Sequence, residues 1–188
     1  MQKRNTQKLV LSGLLAALSI LLTRFLVVYL TESIRISLGN IPIMLAGLWF
    51  GPFAGVLVGF SADFIGANLF SGFGWYAPMA LTPMLFGLIS GLCRGLIFSA
   101  SVSKSTSNSR RQRILIPIIG MVFLCNLLGS IGWTTWCLSG LYGTPFWVLL
   151  SARVPLYLAI GILESFVLYG IEKSPVSTLA RGTAGVLS

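Results

Sequence analysis

The chain has 188 residues, of which 55% are hydrophobic and only 9% charged, with a mean hydropathy of +0.90. Such a balance belongs to an integral membrane protein, here one domain over 1–188, and excludes a water-soluble globule. The formal charge of +9 falls between apolar runs, where topology signals lie, so the partner it implies is the lipid bilayer and not nucleic acid.

Lys3, Arg4 and Lys8 precede an apolar run of about 22 residues, longer than the about 7–15 of a cleavable signal. A first membrane helix is predicted over about 9–30. Its start carries Ser12-xxx-Ala16 and Gly13-xxx-Ala17, small residues that let another helix, of this chain or of a partner, approach closely. Arg24 lies about 24 Å beyond Lys8 along the axis. There it either snorkels to headgroups or points into a cavity.

Residues 41–70 are too long for one crossing, which takes about 20 residues, and short for two. Proline lacks a backbone donor and disfavours helix in the residue before it, while glycine permits a tight turn, so Gly51-Pro52 divides the run. Helices are predicted over 40–50 and 52–69. The first cannot cross alone, so the segment 34–40 is expected to dip into the protein and complete it. Irregular backbone at that depth is tolerated where it lines a cavity, which makes a pocket the consequence.

Three more helices follow, over about 78–98, 114–137 and 148–171. Between them the linker 99–113, SASVSKSTSNSRRQR, is Ser-rich and carries Lys104, Arg110, Arg111 and Arg113. A total of six helices places this linker, both termini and the tail 172–188 in the cytoplasm, as the distribution of positive charge requires. Arg24, Arg35 and Arg153 are then the outward basic residues. The fold expected is all-α, with a short second helix and an outward-facing ligand pocket.

The outer loops 31–40, 71–77 and 139–152 gather Arg35, Phe73, Trp75, Tyr76, Tyr142, Phe146 and Trp147, with Arg153 just after. An interfacial aromatic belt accounts for part of this. Planar rings edged by three guanidinium groups also suit a flat, conjugated anion. Asp63 lies about 16 Å into the membrane from Pro52, where a carboxylate costs about 2.5–3.5 kcal/mol. It either meets a ligand or pairs across helices, with Asn68 or Arg24 as partner. Glu164 reads as structural. Gly87, Gly91 and Gly95 predict a close helix contact, whereas Gly47, Gly51, Gly55 and Gly59 straddle the break.

Cys93, Cys125 and Cys137 stand singly in apolar runs and the chain has no histidine, so neither a metal, a disulfide framework nor a cofactor is expected. No glycine precedes a lysine, so the phosphate-binding loop GxxxxGK[ST] is absent. Uphill transport would need ATPase partners or ion coupling through Asp63 and Glu164.

The stretches LLAALSILLTRF, IRISLGNIPIMLAGLWFGPFAGVLVGFSADFIG and LYGTPFWVLLSARVPLYLAIGILES resemble the folate-specific substrate-binding subunits (S components) of energy-coupling factor (ECF) transporters, over residues 8–171. The most specific parts are R-I-x-x-G-x-I-P at 35–42, the FGP turn at 50–52, Ala62-Asp63, and L-Y-G-T-P-F at 141–146 followed by Arg153. The resemblance implies six helices in the cell membrane and vitamin capture without ATP hydrolysis by this chain. It also implies docking on a transmembrane coupling subunit and two ATPase subunits. A small-xxx-small docking motif maps onto Gly13 and Ala17. For folate, Arg24, Arg35 and Arg153 would attract the glutamyl carboxylates, and Phe73, Trp75 and Tyr76 would cover the pterin. Asp63 or Asn68 would meet the pterin donor edge, and Asn40 counts among the binding residues. The alternatives are an S component for riboflavin or pantothenate, or a solitary ion-coupled transporter. A lipid-modifying enzyme is disfavoured, since no nucleophile sits beside an evident base.

Overall fold

The structure, a computed structural model, describes residues 2–31, 34–70, 75–102, 107–174 and 177. Its elements in order are α1 (Gln2–Arg24), β1 (Val27–Thr31), β2 (Ile34–Ser37), α2 (Asn40–Phe50), α3 (Pro52–Phe70) and α4 (Ala77–Val102). Then come α5 (Ser107–Cys125), a π-helical segment (Asn126–Trp133), α6 (Thr134–Tyr142) and α7 (Phe146–Lys173). From α5 to α6 the chain is one unbroken rod. Its part Leu115–Tyr142 is one of five stretches among the described residues that are long and apolar enough to cross a membrane, and Asn40–Phe50 is a shorter sixth.

The first helix departs from its expected extent of about 9–30, since it starts at Gln2 and stops at Arg24. Beyond it, β1 pairs antiparallel with β2, placing Val27 opposite Ser37 and Tyr29 opposite Arg35. Two physical reasons explain the stop. Twenty-three helical residues already span about 34 Å, a full hydrocarbon core, and the run VVYLT is β-branched and aromatic, suited to a pleat. Apolarity alone does not separate the two states. Helix also extends into the stretch 99–113, expected as a loose linker: α4 reaches Val102 and α5 begins at Ser107. The polar ends of both rods simply continue past the apolar region.

At the break, Gly51 adopts φ 101°, a conformation that side-chain-bearing residues rarely enter. Its N–H still closes α2 by donating to Gly47 O at 2.9 Å. The chain therefore turns sharply, and α2 and α3 both settle on α4. Glycines make the close approach possible: a Cβ at Gly47 or Gly55 would lie 2.5 Å from Gly87 O, and one at Gly91 would meet Pro52. A Cβ at Gly95, the third of its series, would meet nothing within 4 Å among the described residues.

Helix α2 is the centre of the bundle, with 41–49 buried throughout, because α1, α3, α4 and α7 all pack around it. A helix enclosed on all sides must be apolar on all sides. Its C-terminal end is tied to the last turn of α7, where Trp49 Nε1 donates to Glu172 Oε1 at 3.0 Å. Eleven residues rise only about 16 Å, so Asn40 stands near mid-depth. The rest of that crossing belongs to 37–39, which Ser19 holds by donating to Gly39 O at 2.7 Å.

Candidate functional site

Polar side chains buried between helices collect where the N-terminus of α2 meets the π-helical segment and α7. Asn126, 1% exposed, donates from Nδ2 to Glu164 Oε2 at 2.8 Å, and Glu164 is 0% exposed. Asn40, at the start of α2, lies beside the same carboxylate. The α2 N-terminus, with its unpaired backbone donors, also favours negative charge there.

One turn up the same seam, Arg153 is 2% exposed. Its Nη2 donates to Ser130 O at 3.1 Å and to Tyr157 Oη at 3.2 Å, with the guanidinium carbon 5.0 Å from the Tyr157 ring centre. The π-helical winding supplies both neighbours on the rod, Asn126 and Ser130, spaced by four residues and buried. Along the seam runs a groove of about 250 Å³ bordered by Phe123, Asn126, Leu127, Ile131, Tyr157 and Leu158.

A second group forms toward the C-terminal ends of α1 and α3. Trp75 Nε1 donates to Asp63 Oδ2 at 3.2 Å, and its ring packs edge-on against Phe64 at 5.2 Å and Phe60 at 6.3 Å. The Arg24 guanidinium lies over Gly66, so close that a Cβ there would come within 3.2 Å of Arg24 Nε. Gly66 follows Asp63 by three residues, on the same face of α3. Arg24, Asp63 and Trp75 thus share one corner.

The other sequence candidates are dispersed. Asn68 is exposed and donates back to Phe64 O on its own helix at 2.8 Å. Tyr76 is 41% exposed. Arg35 is a residue of β2, its side chain outside the described ones, and Phe73 lies outside the described residues altogether. Gly13 and Ala17 sit on an exposed face of α1 together with Leu9, Leu14 and Leu21, and a Cβ on Gly13 would touch nothing within 4 Å.

Sequence reasoning missed Asn126, Ser130 and Tyr157 and gave Glu164 a structural role. A signal was present: Asn126 is an amide in the middle of an apolar run, and polar groups at that depth mark functional positions. The π-helical winding that turns Ser130 toward Arg153 had no such signal.

Comparison with known proteins fits this arrangement. Residues 7–172 match the family model of the ECF transporter substrate-specific component. The Folate transporter FolT of Clostridium novyi (strain NT) is 28% identical over 156 residues, covering 83% of this chain and 82% of that protein. The crystal structure of FolT bound with folic acid superposes with a TM-score of 0.69 at 25% identity, over 87% of this chain and 90% of that one. The S component of a bacterial ECF transporter shares the fold, with a TM-score of 0.59 at 21% identity over 93% of this chain and 98% of its own. A multi-pass membrane chain with a half-length central helix, matched along nearly its whole length, belongs to the ECF transporter substrate-specific components.

Proposed function

We propose that this chain captures folate at the outer face of the membrane and delivers it to the cytoplasm as the S component of an ECF transporter. The observation that carries the reading is the joint similarity to FolT in sequence and to folic-acid-bound FolT in structure. The architecture supports it: the central helix begins only at Asn40, and Arg153 is buried in the neighbouring seam. Arg24 and Arg153, with Arg35 on the hairpin, attract the glutamyl carboxylates, and Trp75 and Tyr76 close over the ligand. Both termini face the cytoplasm, where the basic residues concentrate.

The binding test is titration of folic acid, riboflavin and pantothenate into the purified chain. Folic acid alone is expected to bind. Binding of riboflavin or pantothenate in its place would refute the assignment.

Energy comes from elsewhere, through a transmembrane coupling subunit and two ATPase subunits. The face of α1 bearing Gly13 and Ala17 supports docking, because its small residues leave a shallow strip that the described residues do not fill. Gly13→Leu with Ala17→Leu is expected to leave folate binding within about twofold, since neither side chain touches the interior. Folate uptake by cells that also make the energy-coupling module is expected to fall at least about tenfold, an amount set by about 1.4 kcal/mol of lost docking. Normal uptake by the double variant would rule out this face.

A further inference from the structure

The buried pair at mid-depth carries an orientation rule. A carboxylate oxygen accepts hydrogen bonds, so an amide bonded to it presents its nitrogen. Asn126 does so at 2.8 Å, and its Nδ2 also donates to Val122 O at 3.2 Å. Both of its N–H groups are then used, and Asn126 Oδ1 has no hydrogen-bond partner among the described residues although the residue is 1% exposed. Asn40, which lies beside the same carboxylate, is only partly buried and stands at the N-terminus of α2. A buried acceptor without a donor calls for an explanation.

We propose that Glu164 is a positioning residue: it locks the amides of Asn40 and Asn126 so that both carbonyl oxygens accept from the donor edge of the ligand's pyrimidinone ring. This inference rests on the folate reading and deepens it. In its 4-oxo form, a pterin presents two adjacent donors, the ring N3–H and the 2-amino group. Two amide oxygens held by one carboxylate complement that edge, and a ligand with acceptors there would leave them unpaired.

Glutamine in place of Glu164 offers both a donor and an acceptor, so either amide can turn over and present nitrogen instead. The test is calorimetric titration of the full chain, wild type and Glu164→Gln, with folic acid and with 2-desamino folic acid, which lacks one donor. Wild type is expected to prefer folic acid by about 10–100-fold, the range set by one buried hydrogen bond left unmade. In Glu164→Gln that preference is expected to shrink to about threefold or less, through weaker folic acid binding and little change for the analogue.

Equal weakening of both ligands would mean a merely structural role and would overturn the proposal, as would an unchanged preference. If Glu164→Gln does not fold, Asn40→Ala serves, because it removes one of the two oxygens and leaves the Glu164–Asn126 bond in place. The same loss of preference is expected from it, and retained preference overturns the proposal. A wild-type chain that ignores folic acid would instead remove the folate reading, and this inference with it.

Discussion

Gly87→Leu is expected to yield no monodisperse protein, and Gly87→Ala is expected to lose most of it. A Cβ at this position runs into the backbone of Gly55 and comes within 2.8 Å of Val56 N, and from the other side Gly87 O already sits where a Cβ on Gly47 or Gly55 would go. One glycine therefore sets the separation of α4 from both α2 and α3. Water does not drive helices together inside a bilayer, so close backbone contact between small residues supplies much of the attraction. Overpacking a tight core costs about 1–3 kcal/mol when side chains can yield. Here the obstacles are backbone atoms, which cannot rotate away, so the effect should exceed that range. Size-exclusion profile and thermal melting of detergent-solubilised protein measure it. The control is Gly95→Ala on the same helix, where nothing lies within 4 Å and wild-type behaviour is expected. A Gly87→Ala chain that melts with the wild type would show that the helices are not held by this contact.

Arg153→Ala is expected to weaken folic acid binding at least about 100-fold, roughly 2.7 kcal/mol, and Arg153→Lys to recover only part of it. The side chain is 2% exposed, and its orientation is fixed by Ser130 O, Tyr157 Oη and the Tyr157 ring. A guanidinium in a membrane span costs about 2.5–3.5 kcal/mol on insertion scales. A charge carried at that cost and oriented in advance suits a planar, bidentate grip on a carboxylate, which an ammonium cannot reproduce. Pteroic acid, which lacks the glutamyl group, distinguishes this from a folding defect. The variant should bind pteroic acid nearly as the wild type does, so that the advantage of folic acid over pteroic acid is what disappears. Equal losses for the two ligands would assign Arg153 to packing of the α7 seam.

These two residues illustrate different limits on what a sequence makes legible. The four-residue spacing of Gly87 and Gly91 announced a close helix contact, because that spacing places both on one helical face. Which helix came close was not readable. Gly47 and Gly55 belong to different helices separated by the Gly51 turn, and only folding brings both onto Gly87. Arg153 was equally visible as a charge at the outer end of an apolar run. Its neighbours Ser130 and Tyr157 were not, since one is a small hydroxyl on another rod and its backbone carbonyl makes the contact.

By itself the sequence determined the membrane class, the six helical runs, the shortness of the second and the corner at Gly51-Pro52. Those follow from local quantities: apolar length against bilayer thickness, and the backbone restrictions of glycine and proline. Only the tertiary structure decided that VVYLT leaves the helix for a hairpin, that the rod from Ser107 to Tyr142 winds as a π-helix at Asn126–Trp133, and that Asn40, Asn126 and Glu164 meet. The first is a choice between two states that apolarity does not distinguish. The others depend on which faces of separate helices come into contact, and that is fixed when glycine-lined backbones close on one another.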